Sequence, residues 1–180
     1  AEVLRAVPNS KLLLKYFNYY CEPSMNARWK SRFKKYGISE DRLIFKFNDD
    51  SRRTHLALYE QIDISLDPFP FNGATTTFEA LSMGVPVVTL LGKHFVDRVA
   101  ASIVTHAGYP ELTAKTKGDY VELAKYLASD IDNLNKLRLS MRDNLQKSKI
   151  CDAGPYCRNI ETAFRDMWTC LLYTSDAADE

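Results

Sequence analysis

The sequence contains no apolar run approaching the roughly 20 residues that a membrane-spanning helix needs, so membrane association is not expected. It also lacks an excess of either charge. Lys and Arg number 24 against 23 Asp and Glu, which gives neither nucleic acid nor a membrane surface an electrostatic hold. Histidine is scarce at three, and cysteine at four. The spacing from Cys151 to Cys157 suits no common zinc site, and no other cluster of ligating residues has metal-site spacing. Reduced thiols of a cytoplasmic protein are the plain reading. There is no Walker glycine-lysine loop and no G-x-G-x-x-G fingerprint, which argues against a P-loop nucleotidase or a dinucleotide dehydrogenase. No nucleophile has a base beside it.

What remains is an ordinary globular composition, 46% apolar and 26% charged over 180 residues, enough for one medium domain with a core. The first residues, AEVLRAVPNS, have no initiating Met and no signal-peptide pattern. They read as a helix end running into a turn, so an open-ended fragment of a longer protein is expected. The last eleven residues, CLLYTSDAADE (Cys170 to Glu180), resemble the translation of a transposon-end adaptor used in preparing sequencing libraries. They are set aside as a scar, and residues 1–168 are taken as the domain.

Along the chain, strand and helix signals alternate. KLLLKY (11–16), RLIFKF (42–47), IDISL (62–66) and VPVVTLL (85–91) read as strands. PSMNARWKSRFKKYG reads as a helix capped by Ser24, with Met25, Trp29 and Phe33 on one face and Gly37 at its end. SRRTHLALYEQ reads as a short helix capped by Ser51. TTTFEALSMG ends at Gly84, and HFVDRVAASIVTHAG at Gly108. Beyond that, only helices are expected: 118–129, 131–148 and 156–168, the first two separated near Asp130. Alternation of this kind predicts an α/β fold, a Rossmann-like doubly wound parallel sheet with C-terminal helices.

Ligands of open parallel sheets sit at the C-terminal strand ends, where loops lead into helices. LDPFPFNGATTTFEAL is such a junction. A helix start offers unpaired N–H groups and a partial positive charge, both suited to phosphate. Gly73 permits close backbone approach. Thr75 and Thr76 add hydroxyls, and Glu79 lies one turn on, where a carboxylate could accept hydrogen bonds from a ribose. The same spacing, Thr76-x-x-Glu79, also describes a capping box that needs no ligand. Spacing alone leaves both readings open. Elsewhere, His55 with Arg52 on a short helix is either a solvated face or a platform for a base. Asp67 reads as a turn former, and Asp97 with Arg98 as a surface ion pair.

The segments VPNSKLLLK, DISLDPFPFNGATTTFEALSMGVPVVTL, RVAASIV, AGYPEL and YCRNIETAFRDMW, in that order, resemble the C-terminal catalytic region of the O-linked N-acetylglucosaminyltransferase and SPINDLY family. The resemblance implies the nucleotide-sugar-binding C-terminal domain of a GT-B glycosyltransferase, an inverting enzyme. Its N-terminal catalytic half and tetratricopeptide repeats would lie upstream. It implies transfer of N-acetylglucosamine from UDP-GlcNAc to Ser or Thr of a protein or peptide acceptor, with no metal or other cofactor. By resemblance Asn72, Gly73, Ala74, Thr75 and Thr76 line the donor diphosphate, Glu79 meets the ribose, and His55 stacks on the base with Arg52 near it. Animal members carry histidine at the position of Ala74 and arginine at that of Leu58. A GDP-fucose donor, as in SPINDLY fucosyltransferases, is therefore the alternative, and a non-catalytic sugar-nucleotide module is a further one.

Overall fold

The computed structural model describes residues 1–17, 19–47 and 51–176. Helix α1 (Glu2–Ala6) leads through a turn into strand β1 (Leu12–Lys15), followed by α2 (Pro23–Lys34) and β2 (Leu43–Lys46). Helix α3 (Arg52–Ala57), strand β3 (Ser65–Leu66), helix α4 (Thr75–Ser82) and strand β4 (Val87–Leu90) come next. The chain continues with α5 (Val99–His106), β5 (Thr113–Ala114), α6 (Lys117–Ser129), α7 (Ile131–Lys147) and α8 (Ala153–Asp176). All strand pairings among the described residues are parallel. β1 lies beside β2 with Lys15 opposite Lys46, and β4 lies between β3 and β5. Parallel neighbours need crossover connections, and the intervening helices supply them. The α/β reading of the sequence holds.

Burial explains why the central strand is so apolar. Val87, Val88 and Thr89 of β4 are fully covered, as expected of a strand packed on both faces. Val87 and Val88 belong to the larger core, with Ala80 and Leu81 of α4, Val104 of α5, Leu112, and Met141 of α7. A smaller core of Leu4, Ile38 and Leu43 lies under β1 and β2. Helix α1 joins the two, because Leu4 belongs to the smaller core while Val3 packs on the larger. The Arg42 guanidinium fixes the connection that follows α1, donating to the carbonyls of Leu4, Val7 and Ser10 at 2.8–2.9 Å.

Several local expectations are corrected. A fifth strand, β5, lies where only helices were expected. Its two residues are too short for an alternation signal, and β4 recruits them by backbone pairing. The third strand is trimmed to Ser65–Leu66. Helix α2 starts at Pro23 with Glu22 as its N-cap, one residue before Ser24, because proline suits the first helical position. Ser51 precedes α3 but makes no side-chain cap; its carbonyl accepts the Thr54 hydroxyl instead. The segment from His94 opens as a turn, and α5 begins only at Val99. Asp130 does separate α6 from α7, as the N-cap of α7, its carboxylate accepting the Asn133 N–H at 2.9 Å. Helix α8 is longer than expected, reaching Asp176, and carries exposed Tyr156, Phe164 and Trp168.

Gly84 turns the chain from α4 into β4 with φ +72°, and a Cβ there would lie 2.7 Å from the Arg138 carbonyl oxygen. Left-handed backbone costs a non-glycine residue about 1–2 kcal/mol, and the clash adds to it. Gly84→Ala is expected to lower the urea midpoint by at least that equivalent at unchanged slope. Wild-type stability in that variant would show that α7 does not pack against this turn as described.

Candidate functional site

The site grows from the loop after β3. Asp67 is 4% exposed. One of its carboxylate oxygens accepts the Gly73 N–H at 2.7 Å and the other the Thr89 hydroxyl at 2.8 Å. Its carbonyl accepts the Tyr120 hydroxyl at 2.9 Å. The expected turn former is therefore a buried anchor that ties the loop to β4 and α6. A charge carried by a residue adjacent to proline gave no sequence signal for burial; the one available clue was Thr89, a hydroxyl inside an otherwise apolar strand. Asn72 is buried too, with its amide donating to the Pro68 carbonyl at 3.1 Å and its N–H to the Val96 carbonyl at 2.9 Å.

At Gly73 a Cβ would collide with the Thr76 hydroxyl and lie 3.3 Å from the Asp67 carboxylate. No side chain fits between the anchor and the helix start. Helix α4 then begins at Thr75, with Ala74 as its N-cap and no side-chain capping bond. The three threonines take two different roles. Thr77 is buried, and its hydroxyl donates back to the Gly73 carbonyl at 2.9 Å. Thr75 and Thr76 are exposed at the first turn, beside the N–H groups that lack intrahelical acceptors. The capping-box reading is set aside, since Thr76 lies inside the helix and Glu79 is engaged elsewhere.

Glu79 faces α3. One of its carboxylate oxygens accepts from His55 Nε2 at 2.9 Å and from the Tyr59 hydroxyl at 3.4 Å. His55 meets Lys15 Nζ through its other nitrogen, Nδ1, and Tyr59 stands edge-on to its ring, 5.8 Å between centroids. His55 is thus held on both nitrogens and is no solvated surface residue. The structure brings His55, Glu79, Thr76 and Gly73 into one contiguous patch at the C-terminal strand ends. Arg52 is the first residue of α3; its side chain lies outside the described part. Asp97 makes no surface pair with Arg98. Its carboxylate instead accepts the His94 N–H at 2.6 Å, closing the turn before α5. Among the described residues, no group of three potential ligands could hold a metal ion, and no helix is long and apolar enough to cross a membrane. Cys151 and Cys157 are exposed thiols.

Burial pushes the Asp67 carboxyl up to about 6, against the lowering effects of the Gly73 and Thr89 bonds. Burial likewise raises the phenols of Tyr59 and Tyr120, helped by the charges of Glu79 and Asp67 respectively. The folded chain binds the Asp67 proton more tightly than the unfolded chain does. Its contribution to stability is therefore complete below pH 3.8 and is lost as pH rises through about 6, amounting to about 3 kcal/mol. Denaturant titrations between pH 4 and 7 should show this downward trend in the wild type and its loss in Asp67→Asn. A slope left intact by that substitution would assign the proton uptake to another group.

The chain resembles known proteins in both sequence and fold. Residues 1–160 match the model of glycosyl transferase family 41. The chain is 40% identical over 172 residues to the probable UDP-N-acetylglucosamine–peptide N-acetylglucosaminyltransferase SPINDLY of Hordeum vulgare, an alignment covering 93% of this chain and 18% of that protein. It is 32% identical over 167 residues to the UDP-N-acetylglucosamine–peptide N-acetylglucosaminyltransferase of Caenorhabditis elegans, covering 93% of this chain and 14% of that one. The solved structure of a mutant O-GlcNAc transferase from Thermobaculum terrenum superposes with a TM-score of 0.85 at 34% identity, over 93% of this chain and 32% of that chain. The chain thus spans about a fifth of the length of the curated plant relatives it matches. With both sequence and fold in agreement, the chain belongs to glycosyl transferase family 41.

Proposed function

We propose that this chain is the donor-binding part of a protein O-glycosyltransferase whose preferred donor is UDP-GlcNAc and whose acceptors are Ser or Thr hydroxyls of proteins. The observation that carries the reading is the start of α4. Exposed Thr75 and Thr76 stand there beside orphan N–H groups, with no side chain on Gly73, and one turn away Glu79 contacts His55. A diphosphate fits the first part and a nucleoside the second. The names of the relatives support the choice of donor and acceptor.

In this reading Asn72, Gly73 and Ala74 shape the loop, and the helix start and two hydroxyls receive the diphosphate. Preorganised donors of this kind stabilise the negative charge that develops on the leaving diphosphate as the sugar departs. Neutralisation by N–H groups and hydroxyls calls for no metal. Glu79 would accept from the ribose and His55 would lie against the base, with Arg52 near it as the first residue of α3. The upstream half would supply the acceptor site, so the chain alone is expected to give no turnover. Tetratricopeptide repeats upstream and a cytoplasmic setting belong to the same proposal. So does the status of Cys170–Glu180 as sequence outside the domain, supported by the family match ending at residue 160. The absence of the histidine and arginine of animal members at Ala74 and Leu58 favours GDP-fucose as the second reading.

Calorimetric titration of the chain with UDP and GDP, with and without EDTA, tests the assignment. UDP is expected to bind more tightly than GDP, indifferent to EDTA. Removing both hydroxyls in Thr75→Ala/Thr76→Ala should weaken UDP at least about tenfold, the scale of two hydrogen bonds to a charged group. Tighter binding of GDP would shift the assignment to the fucose donor. Affinity unchanged by the double substitution would move the diphosphate away from α4.

A further inference from the structure

Lys15 is the last residue of β1, and nothing in the sequence marks it out from the other lysines. Its ammonium meets Nδ1 of His55 across 40 residues of chain. An ammonium has three donors and no acceptor, so Nδ1 can only accept. The opposite nitrogen, Nε2, lies 2.9 Å from a carboxylate oxygen of Glu79, and a carboxylate only accepts, so Nε2 carries the proton. The two partners therefore select one tautomer and fix the ring in two directions. Tyr59 fixes it in a third, standing at 87° to the ring plane and donating to the same Glu79 oxygen.

We propose that Lys15 is a positioning residue. Through Nδ1 it holds His55 in the Nε2–H tautomer, with its ring face set for the donor base and its proton directed to Glu79. The Lys15–His55–Glu79 chain runs from β1 through α3 to α4, and so links the two-stranded sheet to the helix at the end of the three-stranded one. The nucleoside part of the site is assembled from both halves of the domain by one imidazole. A loss of Lys15 would strip Nδ1 of its donor and leave the ring held through Nε2 alone, free to turn about that one bond. The consequence for nucleotide binding rests on the reading of His55 as the base platform; the tautomer itself does not.

Two measurements on the full chain test this separately. Nitrogen-15 NMR of the histidine rings, without nucleotide, is expected to show His55 as a single Nε2–H tautomer, assigned by its absence in His55→Ala. The Lys15→Met variant should show a displaced Nδ1 resonance, since that nitrogen loses its donor, and Lys15→Arg the wild-type pattern. An identical His55 pattern in wild type and Lys15→Met overturns the proposal. Titration with UDP should then show Lys15→Met weakened about fivefold, the size of one hydrogen bond, and unchanged when added to His55→Ala. A Lys15→Met effect that persists in the His55→Ala background overturns the positioning role, because the ammonium would then touch nucleotide directly. If neither UDP nor GDP binds the wild type, the proposed function falls while the tautomer result stands on its own.

Discussion

A buried carboxylate holds this site together. Asp67 sits at the end of β3 with almost no access to solvent, where an ionised group is costly unless its lone pairs are filled. Filling them brings the Gly73 N–H from the loop and the Thr89 hydroxyl from the central strand to one point, and the Asp67 backbone carbonyl adds the Tyr120 hydroxyl from α6. The loop cannot drift from the sheet without leaving a buried charge unpaired. The position of the α4 start, and with it the direction of its free N–H groups, follows from that constraint. The raised Asp67 carboxyl shows that the arrangement opposes the charged form overall. Loop placement is thus obtained at some expense of stability, a trade common at functional sites.

The second constraint acts at the far side of the same helix. Glu79 projects from the first turns of α4 onto α3, and α3 is in turn held to β1 by the contact of His55 with Lys15. The start of α4 is therefore set by Asp67 and its next turn by His55. Both constraints act on one eight-residue helix. A short helix gains little from its own hydrogen bonds, so its position is decided by these tertiary contacts and by Ala80 and Leu81 beneath it.

Much of this was legible in the sequence where the physics is local. The alternation of apolar runs and amphipathic segments gave the parallel α/β class, because strands buried on both faces leave continuous apolar stretches such as VPVVTLL. Gly73 and the threonines gave a helix start suited to an anion. Capping was harder, since Ser24 and Thr76 carry the right chemistry but lie just inside their helices, and Ser51 stands at the cap position without making the side-chain bond. A capping box needs both its side chains free, and Glu79 is drawn away by His55, a partner 24 residues distant. Strand β5 escaped for a similar reason: two residues carry no period, and only β4 beside them makes a strand of Thr113 and Ala114.

Asp67 and Lys15 were the least legible of all, and for one reason. Each is a charged residue whose meaning depends on what long-range folding places opposite it. Aspartate before proline is ordinary turn chemistry, and lysine at a strand end is ordinary solvation. What distinguishes Asp67 is a threonine 22 residues away, and what distinguishes Lys15 is a histidine 40 residues away. Such pairs can be suspected from a polar residue in an otherwise apolar strand, as with Thr89, since a buried hydroxyl must find a partner. The threonine run follows the same rule in reverse. Thr77 is the one that folding consumes, through its bond to the Gly73 carbonyl, while its neighbours Thr75 and Thr76 stay exposed. One run of three identical residues thus supplies a structural hydroxyl and two that face solvent.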